Sequence, residues 1–418
     1  MLATRACARP NADGRLGAGC QGSRRPRTRR SSLAMRTRLL ALVATLTAAL
    51  ALTAAPAGAA DRFDVLSVAT LGHLQPVKGS DGLQHLVYEL TLRNVSSEWG
   101  VVIDRVEVRN ARTNQTVTTR TGDTLLPNMD LGDPFSRPHT TTIGPGQTGV
   151  VWMDVTFPSR AAVPAAIRHV VTLQPAPGVD PADFAVRFGP DVTTGPVRVD
   201  LRPPVVLGAP LKGDGFVAFN GCCTSLGHTR TALAVEGRQR VAERYAIDFM
   251  QTDRNGTLWT GDGTRNEDYF VYDEPIHNVK RGRVVAASDG QPDTPALTRT
   301  NETSTPAKAA GNHVIVDIGG LYVLYAHIKP GTVAVKPGDR VRKGQVIGRV
   351  GSSGNSDAPH LHIHVTNRPS PLAADGRPYV FERFALEGQV VDEEVRWLPS
   401  PSPRRAELPL DMTVVSFP

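Results

Sequence analysis

The chain is poor in cysteine and in aromatic side chains: 418 residues carry four Cys, four Trp, seven Tyr and twelve Phe. Four cysteines are too few for a disulfide-stapled scaffold. No H-E-x-x-H string occurs anywhere, which excludes the metalloprotease design that hangs two histidines and a glutamate base on one helix. The longest charge-free apolar run, Leu39 to Ala55, is shorter than the roughly 20 residues a spanning helix needs. Lysine is absent from the first sixty residues and acid nearly so, ten arginines facing only Asp13. What is abundant is glycine and proline, 39 and 33, over a 40% apolar background. That is the composition of a folded, turn-rich chain and excludes wholesale disorder. The length predicts two or three domains.

The charge is not spread evenly. The formal net charge of +7 would, on a folded surface, suggest a nucleic acid or an anionic membrane as partner. Residues 1–60 alone carry +9, leaving 37 basic against 39 acidic residues, a formal −2, after Ala60. Arginines, then an apolar stretch, then Ala57-Gly58-Ala59-Ala60 is the layout of a secretory signal peptide, so 1–60 is read as a leader and the protein as secreted. Met35, directly before Arg36, offers an alternative start that gives a leader of ordinary length. A nucleic-acid partner loses its support, and a membrane partner remains only if the leader stays uncleaved. The pattern is silent on oligomeric state.

The exported part is read as mainly β. Leu86 to Val95, Val101 to Asn110, Thr148 to Phe157 and Ile167 to Gln174 are β-branched, partly alternating and separated by turn residues. This predicts an immunoglobulin-like sandwich over 61–200. A proline-rich joint over 201–215 follows, then a second domain over 216–383, and an extended tail over 384–418 that carries Pro399, Pro401 and Pro403. Seven of the eleven histidines fall between His228 and His364.

Three of them form one string, Ala358-Pro359-His360-Leu361-His362-Ile363-His364. In a strand the three imidazoles share one face while Leu361, Ile363 and Val365 take the other. Imidazole is a common zinc ligand, and a catalytic zinc keeps three protein ligands plus an open position. Upstream lie Tyr325-Ala326-His327 and Gly338-Asp339-Arg340-Val341, the latter continuing to Gly344-Gln345-Val346-Ile347-Gly348. Alone, that second string says only that short strands alternate with turns.

In this order the three motifs resemble the zinc metallopeptidases typified by lysostaphin, the LytM type, over roughly residues 215–370. The resemblance implies a lysostaphin-type β-sheet peptidase domain of the duplicated hybrid motif fold. It implies zinc held by an early His, an Asp and the second His of H-x-H, which map to His228, Asp248 and His362. Family members often carry the early His four residues before the Asp, and that position here is Arg244. For His228 the residues offer a route of their own. A hairpin turning at Glu236-Gly237 within 231–249 sets Asp248 roughly opposite position 225, so that a bulge brings His228 to the same metal. Cys222 and Cys223 are the rival ligands, or they form a vicinal disulfide. The resemblance further implies His327 and His360 as the catalytic pair, His360 as general base and His327 as donor to the oxyanion or leaving amine, with the two roles interchangeable.

The expected function is a secreted zinc endopeptidase cutting peptide cross-bridges of bacterial peptidoglycan. The alternative is a non-catalytic wall-binding or regulatory protein that keeps the fold.

Overall fold

The computed structural model describes residues 63–132, 138–223, 227–298 and 305–418. The expected leader over 1–60, with the alternative start Met35, lies outside the described residues.

The main strands of the first half are β1 (Leu66–Leu71), β2 (Gln84–Asn94), β3 (Val101–Asn110), β4 (Thr116–Thr121), β5 (Thr148–Phe157) and β6 (Ala166–Pro175). They fall into two antiparallel sheets. One runs β1-β2-β5 and ends on the short strand Met129–Asp130, and the other carries β6-β3-β4 at its centre. Leu86, Tyr88, Leu90 and Leu92 of β2 meet Val106 and Val108 of β3 and Val171 of β6 in one core between the sheets. Alternation explains that choice, since even-numbered residues of β2 share a face. The odd-numbered face is not left to solvent, because Val87 packs into the core of the second half.

The second half is organised by an eleven-stranded sheet. Its main strands are β7 (Gly213–Phe219), β8 (Ile247–Gln251), β9 (Gly282–Ser288), β10 (His313–Asp317), β11 (Tyr322–Ala326), β12 (Leu361–Thr366), β13 (Tyr379–Val391), β14 (Glu394–Glu407) and β15 (Thr413–Phe417). Across the sheet the order is β13-β15-β7-β8-β12-β11-β10-β9. Residues 61–418 form one compact unit.

Two segments differ from expectation. The joint at 201–215 is structured: Val205–Leu207 pairs in parallel with Tyr379–Phe381, and Leu207 and Leu211 are core residues. The expected boundary at 384 falls inside β13, and residues 384–418 complete β13, β14 and β15 instead of forming an extended tail. The three prolines are accommodated in β14, which pairs with β13 off the main strand path: Pro399 and Pro401 fall in the irregularity between Trp397 and Ser402, where no ladder partner is needed, and Pro403 stands opposite Ala385.

Candidate active site

The site grows out of one strand and its two neighbours. β12 lies between β8 and β11, with His362 directly opposite Asp248 on one side and Ala326 on the other. Directly opposed residues of antiparallel strands put their side chains on the same face, Cβ atoms about 4.5–5.5 Å apart. Leu361, Ile363 and Val365 are fully buried in the core below, so His362 and His364 take the other face. His360 immediately precedes β12, and His327 immediately follows β11 with a left-handed φ of 60°.

His228 arrives from a one-turn helix, Gly227–Arg230. Its Nε2 lies 3.3 Å from Asp248 Oδ2, and His362 Nδ1 lies 2.9 Å from Asp248 Oδ1. One ligand atom from each of the three residues lies within 4.8 Å of the other two. Zinc bonds of about 2.0–2.1 Å in a tetrahedron require donors roughly 3.3 Å apart, so two imidazole nitrogens and one carboxylate oxygen at these separations fit the ion. The outer contacts also suit it. His228 Nδ1–H donates to the Asn220 carbonyl at 3.1 Å, which leaves Nε2 as the lone-pair nitrogen, and Asn220 Nδ2 donates to Asp248 Oδ2 at 2.9 Å.

His327 and His360 stand beside this trio with ring centroids 4.6 Å apart. His327 Nδ1–H donates to the Ser353 carbonyl at 2.7 Å, and His360 Nδ1–H to the Ala358 carbonyl at 2.7 Å. A carbonyl only accepts, so in the neutral form both rings keep a free lone pair at Nε2. His360 Nε2 lies 3.5 Å from Asp248 Oδ1. Burial, followed by the nearby His360 and His362 rings, holds the His327 imidazole well below the usual histidine range. Burial works against ionised Asp248, but His228, His360 and His362 together hold its carboxyl well below the usual carboxylate range. For His362 burial lowers the pKa, while the hydrogen bond to and charge of Asp248, then Glu243, raise it overall.

The structure thus brings together His228, Asp248, His327, His360 and His362, but His228 arrives by another route than the hairpin predicts. That hairpin is short, Leu233–Val235 pairing with Arg238–Arg240, and Asp248 instead pairs with Phe219 of β7. Asp248 is thus flanked by Phe219 and His362, and the one-turn helix Gly227–Arg230 sets His228 beside its carboxylate. Cys222 and Cys223 form a disulfide with each other, so neither offers a thiolate. For the same reason His85, Asp154 and Cys223, although close, are not a metal set, and His85 is satisfied by Asp154 at 2.9 Å and Asp81 at 3.2 Å. His277 and His313 bond to the Gly344 and Gly311 carbonyls and stay out of the cluster.

Sequence reasoning missed Asn220, which no motif marks, and the contact of His364. The latter is 1% exposed, with Nδ1 2.9 Å from His362 Nε2, and Glu243 Oε1 lies 3.9 Å from that same Nε2. Period-two alternation placed His364 on the right face without revealing the contact.

Residues 268–374 match the model of peptidase family M23. The match includes His327, His360 and His362 and begins after His228 and Asp248. The chain is 30% identical over 130 residues to an endolysin, 2638A, of Staphylococcus phage 2638A, covering 30% of this chain and 26% of the relative. It is 38% identical over 66 residues to the peptidoglycan DD-endopeptidase ShyA of Vibrio cholerae, covering 16% of this chain and 15% of the relative. The chain therefore spans about a quarter or less of these curated relatives. Among solved structures, the catalytic domain of lysostaphin from Staphylococcus simulans aligns at 22% identity and a TM-score of 0.20, over 39% of this chain and 84% of that one.

Proposed function

Given that the chain carries an M23 peptidase domain of the LytM type, we propose that it is a zinc-dependent endopeptidase that hydrolyses peptide bonds of bacterial peptidoglycan outside the cell. The observation that carries this reading is the convergence of His228, Asp248 and His362 on one point, with two further imidazoles presenting Nε2 beside it. His228 Nε2, a carboxylate oxygen of Asp248 and His362 Nδ1 would hold the ion. Zinc, when bound, supplies Lewis acidity, polarising a peptide carbonyl and lowering the pKa of a water. Asp248 is the only anionic ligand, so the site keeps a net positive charge suited to a developing oxyanion.

His360 accepts the proton of the attacking water at Nε2, its ring held in place by the Ala358 carbonyl. His327 faces the leaving group. Its neutral ring has its one N–H committed to Ser353, and burial keeps the ring neutral at rest. His327 would therefore take up at Nε2 the second proton of the attacking water, after the first has gone to His360, and hand that same proton to the leaving amine as the C–N bond breaks. Among the described residues no helix is long and apolar enough to cross a membrane. Export rests on the arginine-apolar-small pattern of 1–60.

The test uses the full chain, its metal content, and release of amino groups from purified peptidoglycan. His362→Ala is expected to lose the roughly stoichiometric zinc. His360→Ala is expected to keep zinc and lose about 10²–10⁴-fold in rate, the usual worth of a general base. Zinc bound without hydrolysis of wall peptides or glycine-rich peptides would sink the substrate assignment.

A further inference from the structure

The odd-numbered face of β2 and the matching face of β5 point away from the sandwich core, yet β2 is buried along nearly its whole length. What covers them is the pair of segments that carry His228 and Asp248. Glu89 and Trp152 are directly opposite each other on these strands, so they share that face. Glu89 takes Arg244, four residues before Asp248, in a two-pronged ion pair with Nε–Oε1 2.8 Å and Nη2–Oε2 2.6 Å. Trp152 and Val150 pack on Ala232 and Val241, which flank the short hairpin between His228 and Asp248.

Arg230 is the closest link to the metal site, two residues beyond His228. Its side chain is 2% exposed and turns into the first half. There Nη1 meets Asp130 Oδ2 at 3.6 Å and His139 Nδ1 at 3.3 Å, and Nη2 donates to the Pro127 carbonyl. The guanidinium lies 6.0 Å from the Trp152 ring, whose Nε1 in turn donates to Asp130 Oδ2 at 2.9 Å. The turn is closed over this anchor by Thr231 N–H to the His228 carbonyl at 3.1 Å and Ala232 N–H to the Arg230 carbonyl at 2.9 Å.

We propose that the outward face of the β2–β5 sheet is the second wall of the metal centre, and that Arg230, anchored in it by Asp130, His139 and the Pro127 carbonyl, is a positioning residue that holds His228 over Asp248. This rests on the ligand set proposed above. The physical need is specific to this chain. Asp248 and His362 are fixed by adjacent strands of one sheet, whereas His228 sits on a one-turn helix with no strand of its own. The Asn220 carbonyl at the end of β7 orients the His228 ring, and the grip on Arg230 fixes the backbone that carries it; contacts that orient a ligand typically set metal affinity by 10–100-fold. The first half is thereby part of the site's construction, not a separate module tethered to it.

The test measures zinc affinity of the full chain by competition with a chromophoric chelator, together with the visible spectrum of the cobalt-substituted protein. Arg230→Ala alone strands a buried carboxylate, so the informative variant is Arg230→Met combined with Asp130→Asn, which removes both charges. It is expected to keep a cooperative urea transition, bind zinc about 10–100-fold more weakly and shift the cobalt bands. Arg230→Lys keeps the cation but cannot reach Asp130, His139 and the Pro127 carbonyl at once, and its loss is expected to be intermediate. Wild-type affinity and spectrum in both folded variants would overturn the proposal. His228→Ala separates the two layers: if it binds zinc as tightly as the wild type, the ligand set itself is wrong.

Discussion

The ion pair between Glu89 and Arg244 gives the strongest quantitative prediction of the fold. Both side chains are 1% exposed, the pair is bidentate, and Arg244 Nη1 also donates to the Gly376 carbonyl at 3.1 Å. Taking either charge out of water costs several kcal/mol, and only the partner's charge and these hydrogen bonds offset it. Glu89→Gln should therefore cost more than the lost hydrogen bonds, because it leaves a guanidinium buried and uncompensated, about 3–5 kcal/mol. With a urea dependence on the order of 3 kcal/mol per molar, the midpoint falls by roughly 1–1.7 M. Arg244→Met combined with Glu89→Gln removes both charges and should recover most of the loss, so the two substitutions are strongly non-additive. Because the pair bridges the two halves, Glu89→Gln is also expected to split the unfolding transition, the sandwich and the large sheet melting separately. The assay is equilibrium urea unfolding followed by tryptophan fluorescence and far-ultraviolet circular dichroism. A cost below about 1 kcal/mol for Glu89→Gln would mean the pair behaves like an exposed one and would refute the buried-clamp reasoning.

Two further outcomes follow from groups outside the metal site. Gly72 has a φ of +78°, and a Cβ there would stand 2.5–2.8 Å from the Arg244 guanidinium, so Gly72→Ala should lower the urea midpoint, and an unchanged midpoint would show that Arg244 has room to move. Burial pushes His169 down to about 4 from the ordinary 6.5, while its Nε2 accepts from the Tyr88 hydroxyl at 2.8 Å. Between those two values the unfolded chain binds the extra proton, so His169 makes stability rise with pH: its contribution is complete above pH 6.5 and is lost as pH falls toward 4, about 3 kcal/mol in all. His169→Asn should flatten the pH dependence of the urea midpoint across that window, and an equally steep variant would assign the slope to other groups.

Local rules carried the sequence reading far where a property depends on a single strand. Alternation placed Leu361, Ile363 and Val365 in the core and the three imidazoles opposite, and the β-branched runs at 101–110 and 148–157 coincide with β3 and β5. They failed where a property depends on two distant segments meeting. Nothing within Thr231 to Phe249 shows that β8 leaves its own hairpin to pair with β7. Proline at 399, 401 and 403 reads as loose chain unless the irregularity in the pairing of β14 with β13 is known. The dense burial of β2 is likewise invisible locally, because Glu89 looks like an outward polar residue until Arg244 arrives from 155 residues away.

Position 244 shows how the two halves and the metal site are linked. Members of the family that this chain resembles often place a histidine ligand there, four residues before the aspartate. Here that position holds an arginine committed to Glu89, and the imidazole beside Asp248 comes instead from a loop residue, His228. The two changes make sense as one. A ligand four residues before Asp248 would share the rigidity of the chain leading into β8, whereas His228 sits on a one-turn helix that pairs with no strand of the sheet. The sheet that receives Arg244 is the same sheet that receives Arg230. On the proposed ligand set, one face of the first half receives both Arg244 from the chain leading into β8 and Arg230 from the one-turn helix of His228, so the construction of the site is expected to depend on that face.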